Sequence, residues 1–437
     1  MKNQGFLRAF LVVTTLAVTT LSFGADKETI QVAGWPAADK AFAAIIPDFN
    51  KLYPDITVNV TMMQPQDHKH MVATSIAAGS GAPDVVMIEH GDIGHYKDGG
   101  GFENLLAAPY NAGSLKKDFV QYKWDLATSV DGKQTIGLVW DIGPACIFYR
   151  QDIFKSVGLP SDQAGVEKLM STWDGVLKVA KAVYIPNKRW LLPNAFYLYT
   201  WNYMNLDFYN EKLELTLDKP GTKEALEAAV TMRKNGWDAK LPSMWENESY
   251  AGLANGSIVM VAAGGWYGGF LKSWIAPKTS GLWRVARLPA KIASSNWGGS
   301  FLSIPSQSKH KDAAWKFIQF ALATKESQNK MFEAVDYFPG YIPAWDDKMY
   351  SEADPYLGGQ KARALWVETS KNIKPTFSTL MDSDTSDTLN SSVNTGINQG
   401  LPAAQILANA KKAILDATVE DREKMIEIMK AAGKWKD

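Results

Sequence analysis

Asp84-Val85-Val86-Met87-Ile88 is a short unbroken apolar run directly behind the breaker Gly79-Ser80-Gly81-Ala82-Pro83, and its reading decides the fold. A run of this length, apolar on consecutive residues, suits a central parallel strand covered on both faces. Upstream, Gln66 to Ala78 reads as a helix that the breaker stops. Ile56 to Met62 alternates strictly and predicts a half-buried strand. Ala37 to Tyr53 carries apolar residues at helical spacing, and Thr29 to Gly34 reads as a first strand. This β-α-β-α-β order predicts an α/β layer built on an open, mainly parallel sheet.

Downstream, strands are expected at Thr135 to Trp140, Ala145 to Tyr149 and Ile258 to Ala262. Helices are expected at Trp173 to Val183, Lys223 to Lys234, Asp312 to Ala323, Lys325 to Ala334 and Pro402 to Lys430. Neither a repeat nor a Pro/Ser/Gly-rich linker interrupts the chain, so two lobes would be joined by several strand-like crossings.

The N-terminus reads as an export signal. Lys2 and Arg8 precede an uncharged apolar stretch from Ala9 to Leu21, Ser22-Phe23-Gly24 supplies small residues, and Asp26-Lys27-Glu28 restores polarity. The stretch falls short of the ~20 residues that span hydrocarbon. We expect cleavage after Gly24 and a freely diffusing periplasmic product. Cys146 is the one cysteine, which forbids an internal disulfide and reads as a core thiol. The chain carries 46 basic and 46 acidic residues, and loss of the leader removes two basic ones. No long basic block remains, which argues against nucleic acid or an anionic membrane as partner. Aromatic residues are abundant, with 16 Trp, 16 Tyr and 18 Phe. Trp needs a partner for its indole N–H when buried, so this richness favours flat faces offered to a ligand.

Several phrases then resemble the bacterial extracellular solute-binding proteins that include maltose-binding protein, the sugar-capturing partners of ABC importers. Phe49-Asn-Lys-Leu-Tyr-Pro-Asp-Ile-Thr-Val58 is similar to that family's helix-to-strand step. Ala77-Ala-Gly-Ser-Gly-Ala-Pro-Asp-Val-Val86 is close to its A-x-G-x-x-P-D-V phrase, the most specific of the set. Gly137 to Asp141 with Phe148-Tyr149-Arg150 resembles its crossing segment, although Val139 replaces the usual Pro and Arg150 the usual Asn. Thr172-Trp-Asp-Gly-Val176, Asn255 to Met260 with Gly264-Gly-Trp266, and Trp297-Gly-Gly299 with Leu302-Ser-Ile304 follow in the family's order.

The resemblance implies an α/β fold of two lobes, with a ligand cleft between them and multiple hinge crossings near residues 135–142 and 297–305. The expected division is residues 25–138 with 299–340 in an N-terminal lobe, and 139–298 with 341–437 in a C-terminal lobe. It also implies closure around a sugar, whose contacts to both lobes stabilise the closed state.

A neutral sugar asks for planar apolar platforms and a few fixed polar groups. Strand ends that open on a cleft should supply them. The candidates are Trp35 after the first strand, Glu89 and His90 after the third, and Asp141 after the crossing strand. Trp266 and Tyr267 behind Ala263-Gly264-Gly265, and Trp297 with Gly298 and Gly299, follow. Trp201 belongs to an aromatic cluster with Tyr197, Tyr199 and Asn202. Tyr337-Phe338-Pro339 and Trp345 sit where a late loop closes on the site. Asp141 is the leading hydroxyl acceptor and Trp266 the leading stacking face.

His68-x-His70 and His90-x-Asp92-x-x-His95 invite a zinc reading, and Tyr197 with Tyr199 a ferric one, but solvated or ligand-contacting side chains are the default. No cofactor is expected. Neither a G-x-S-x-G elbow, an H-E-x-x-H helix nor a P-loop is present. The chain therefore reads as a monomeric binder that is not an enzyme and that hands a carbohydrate to a permease. The rival readings are a secreted carbohydrate-active enzyme and a binder of a polyamine or metal.

Overall fold

The structure is a computed structural model that describes residues 27–204, 207–219 and 221–435. The expected leader, residues 1–24, lies outside the described residues.

In chain order the strands are β1 (Glu28–Gly34), β2 (Ile56–Met62), β3 (Val85–Glu89), β4 (Leu138–Val139), β5 (Asp141–Ile142), β6 (Ala145–Arg150), β7 (Met260–Gly264), β8 (Trp283–Ala286), β9 (Ser300–Ser303) and β10 (Phe338–Pro339). A five-stranded sheet runs β2-β1-β3-β9-β4 and a three-stranded sheet runs β7-β6-β8. The N-terminal reading holds closely. Helices span Ala38–Leu52 and Pro65–Ala78, the second ended by left-handed Gly79. The first buries Ala38, Ala41, Phe42, Ile45 and Phe49, one stripe at helical spacing. β2 is the half-buried edge and β3 lies centrally with four buried residues.

Asp84, from the most specific phrase, is architectural. Its carboxylate accepts the Gln31 N–H at 2.8 Å and the Ser308 hydroxyl at 2.6 Å, locking β1, β3 and the chain after β9 together.

Two expectations need correction. The sheet is not mainly parallel: β1 pairs parallel with β2 and β3, while β9 pairs antiparallel with β3 and β4. The second sheet is antiparallel throughout. The reason is topological. β9 returns from the second sheet and enters the first against its direction, between two strands that run outward. The helix expected over Pro402 to Lys430 is two helices, Ala403–Ala417 and Val419–Ala431. Thr418 divides them, buried, with its hydroxyl donating to the Ile414 carbonyl at 2.9 Å.

The passage between sheets is knitted from three segments. Trp140 N–H donates to the Ser300 carbonyl, and Gly340 N–H to the Trp140 carbonyl. Trp297 N–H donates to the Gly143 carbonyl at 2.7 Å, and β5 pairs with β10. Glycine is needed where the strands touch. A Cβ on Gly143 would lie 1.8 Å from the Trp297 carbonyl oxygen, and one on Gly299, at φ +83°, 2.4 Å from that of Asp141.

Candidate functional site

The end of β3 meets the start of β9 beside this passage. Glu89 stands opposite Ser300 in the ladder, and His90 N–H donates to the Gly299 carbonyl at 2.9 Å. Behind them lies Lys123, wholly buried on the short helix Gln121–Leu126. Its ammonium donates to the Gly298 carbonyl at 3.1 Å, reaches His90 Nδ1 at 3.3 Å, and sits 4.5 Å above the Phe301 ring. Asn296 donates through Nδ2 to the Gly298 carbonyl at 2.8 Å and to His90 Nδ1 at 3.2 Å. Its Oδ1 accepts the Gly143 N–H at 2.8 Å and the Tyr122 hydroxyl at 3.2 Å.

Electrostatics follow burial. Desolvation raises the Glu89 carboxyl to about 7, helped by nearby Asp92 and opposed by Lys123. Desolvation lowers the Lys123 ammonium to about 8, against the pull of Asp141 and Glu89. His90 is held well below the ordinary imidazole value by burial and by the Lys123 charge.

The aromatic side of the site comes from the second sheet. Trp266 follows β7 and donates its indole N–H to the Trp297 carbonyl at 2.9 Å. Gly264 and Gly143 form the floor beneath that indole, since a Cβ on Gly264 would stand 2.3 Å from Trp266 Nε1. Trp245 stacks beside Trp266 with ring centres 5.8 Å apart and planes 20° from parallel, and is 42% exposed. A methyl group on Gly298 would stand 3.5 Å from Glu89 Oε1 and 3.8 Å from the Trp266 indole. A carboxyl and an aromatic ring, carried by different sheets, thus flank one glycine.

The structure brings together Glu89, His90, Trp266, Trp297, Gly298 and Gly299, all half-buried. It places the other candidates elsewhere. Asp141 is buried, and its Oδ1 accepts both the N–H (2.8 Å) and the hydroxyl of Ser300. That carboxylate ties β5 to β9 and is not an open hydroxyl acceptor, because a buried charge must be matched where it sits. Tyr267 is wholly buried among Phe148, Trp245, Trp266 and Phe270, a backing for the platform and not a face of it.

Trp201 is 1% exposed, enclosed in the lobe core, and offers no face to a ligand in this conformation. In the same cluster, the Tyr197 hydroxyl accepts the Met244 N–H, and Asn202 donates to Thr222. Trp35 is half-buried with its ring edge on His68. Tyr337, Phe338 and Pro339 are buried in the crossing, and Trp345 donates to the Pro339 carbonyl. The histidines do not converge: His68 Nε2 meets the Met87 carbonyl at 2.8 Å, while His90 faces Lys123 and Asn296. Among the described residues no group of three or more His, Cys, Asp or Glu is placed to hold a metal ion.

Sequence reasoning missed Lys123, Asn296 and Trp245. Asn296 and Trp245 were within reach. Asn296 directly precedes the Trp297-Gly-Gly299 phrase, and Trp245 stands in the Pro242-Ser-Met-Trp-Glu246 loop, a stretch with little periodicity. Lys123 carried no such sign, since a lysine between Tyr122 and Trp124 reads as a solvated residue.

Residues 44–355 match the family described as bacterial extracellular solute-binding protein. An arabinooligosaccharide-binding protein of Bacillus subtilis (strain 168) is 24% identical over 375 residues, covering 81% of this chain and 84% of the relative. Among solved structures, an extracellular solute-binding protein of family 1 superposes with a TM-score of 0.76 at 23% identity, covering 89% of this chain and 99% of that one. The ABC transporter-associated binding protein of B. animalis subsp. lactis Bl-04, solved with β-1,6-galactobiose, gives 0.74 at 22% identity, covering 90% and 98%. The fold is accordingly the two-lobed α/β arrangement of such proteins.

Proposed function

We infer that this chain, which belongs to the bacterial extracellular solute-binding proteins, captures a sugar or oligosaccharide in the periplasm and delivers it unchanged to the permease of an ABC importer. The observation that carries the reading is the pairing of Trp266 and Glu89 across Gly298. An indole ring matches the flat C–H face of a pyranose or furanose, and a neighbouring carboxyl with an imidazole serves its hydroxyl rim. The two side chains stand on separate sheets, so a solute between them rewards closure. On this reading residues 25–138 with 299–340 move against 139–298 with 341–437, hinged on the segments around Trp140, Ser300 and Gly340. The names of the relatives favour arabino- and galacto-oligosaccharides as first probes.

Binding without chemistry fits the carboxylates. Asp141 is occupied by Ser300, and Asp92, the carboxyl that bears on Glu89, is paired with Lys69 at 2.6 Å, so neither stands free as the second member of a glycosidase pair. A thermal-shift and calorimetric screen of arabinotriose, β-1,6-galactobiose and maltose tests the function. We expect a rise in melting temperature and a dissociation constant around micromolar, about −8 kcal/mol, for at least one of them. Chromatography after prolonged incubation should recover the sugar intact. Cleaved products, or a shift with a polyamine but with no saccharide, would overturn the reading.

A further inference from the structure

His90 is approached on one ring nitrogen by two groups that can only donate. Lys123 Nζ has no lone pair to offer when charged, and it lies 3.3 Å from His90 Nδ1. Asn296 is fixed in orientation because its Oδ1 already accepts the Gly143 N–H and the Tyr122 hydroxyl, so its NH2 is the group 3.2 Å from the same Nδ1. An N–H on Nδ1 would point at both donors. A bare Nδ1 accepts from them, which leaves the neutral ring's proton on Nε2. Protonating both nitrogens would set a second cation against buried Lys123. Asp141 and Glu89 are the carboxyls that bear on Lys123, Asp92 bears in turn on Glu89, and Tyr122, bonded to Asn296, is the other titratable neighbour. Nε2 lies on the opposite edge of a half-buried ring, away from Lys123 and Asn296.

We propose that Lys123 and Asn296 are positioning residues that hold His90 neutral with its proton on Nε2, so that His90 presents an obligate donor to the solute and selects an acceptor atom there. The acceptor is a ring, glycosidic or hydroxyl oxygen, or a carboxylate. An ammonium at that point would meet a donor and be refused. The inference rests on the reading above only in taking the solute to enter beside Trp266 and Glu89.

Nitrogen–proton correlation spectra of the full mature chain labelled with 15N-histidine test it without any ligand. The His90 signals are expected to show the Nε2–H tautomer and to stay neutral well below the pH at which an ordinary imidazole takes its second proton. Asn296→Asp replaces a donor by an acceptor while retaining the oxygen that serves Gly143 and Tyr122. In that variant the tautomer should shift toward Nδ1–H, the imidazole should titrate at higher pH, and affinity for arabinotriose or β-1,6-galactobiose should fall about tenfold. Lys123→Met should also raise the titration point. A parent His90 that carries its proton on Nδ1, or that titrates in the ordinary range, sinks the proposal. So does a folded Asn296→Asp variant with unchanged tautomer and affinity. If none of the three saccharides binds the parent, the sugar reading fails, and the tautomer signals still decide this one.

Discussion

Asp141 and Ser300 are joined twice, the carboxylate Oδ1 taking both the backbone N–H (2.8 Å) and the side-chain hydroxyl of the serine. The pair sits where the chain leaves the first sheet and where it returns. Lys123, close enough to feel the Asp141 charge, depends on it for a counter-ion. Removing the carboxylate strands two donors and leaves a buried cation less well compensated. Asp141→Ala should therefore destabilise the fold by about 1–3 kcal/mol or more, the usual cost of leaving buried donors without an acceptor. Asp141→Asn keeps an acceptor toward Ser300 and should lose less. Denaturant unfolding measures both, and an alanine variant as stable as the parent would contradict the structural role.

Trp266 supplies the platform. Trp266→Ala should weaken saccharide binding by at least about 1.5 kcal/mol, roughly tenfold, because the ring's apolar face is lost from a desolvated site. Trp266→Phe keeps a smaller face but loses the indole N–H bond to the Trp297 carbonyl, and should fall between the two. Calorimetric titration ranks the three. Equal affinities would move the site elsewhere.

Gly299 has a left-handed backbone and faces the Asp141 carbonyl with no room for a Cβ. Gly299→Ala combines strain with a backbone clash, at a cost of about 1–3 kcal/mol or more. Thermal melting should show it. Gly100→Ala, also at positive φ but with nothing within 4 Å of the added carbon, isolates the strain alone and should cost less.

Glu89 gives a pH signature. Its carboxyl is raised in the folded protein from 4.5 to about 7, so the folded state holds a proton that the unfolded chain has released. Stability contributed by this group is full at acid pH and is lost as pH rises from about 4.5 through about 7. Lys123, lowered to about 8, acts above that window. Glu89→Gln removes the dependence, so its melting temperature should gain on the parent across pH 4.5 to 7. A gap that stays constant across that range would show that Glu89 is solvated and ordinary.

Export leaves a chemical mark. Protein recovered from the periplasm should begin at or near Ala25, as N-terminal sequencing would read. An intact Met1 on membrane-bound material would refute cleavage.

The chain's local pattern carried its local structure. Period-two alternation over Ile56–Met62 appears as read, the run Asp84–Ile88 forms the strand Val85–Glu89, and the helical pattern of Ala37 to Tyr53 forms the helix Ala38–Leu52, because each is set by neighbours a few residues away. Capping was equally local: Thr172 accepts the Gly175 N–H and starts the helix Trp173–Val183 where the phrase Thr-Trp-Asp-Gly-Val begins. Trp266 and Trp297 lie in the family phrases and Glu89 and His90 directly follow the run Asp84–Ile88, but their meeting around Gly298 is visible only in the structure.

What the sequence determined by itself was the α/β class and the strand-helix order of the N-terminal third. Tertiary structure alone decided the direction of β9, the burial of Asp141, Tyr267 and Trp201, and the recruitment of Lys123, Asn296 and Trp245. The physical reason is range. Propensity and periodicity act over one or two turns of chain. The fate of a carboxylate or an indole depends instead on which atoms arrive from far along the chain to cover or pair it. Asp141 became a structural tie only because Ser300, 159 residues away, brought two donors to it.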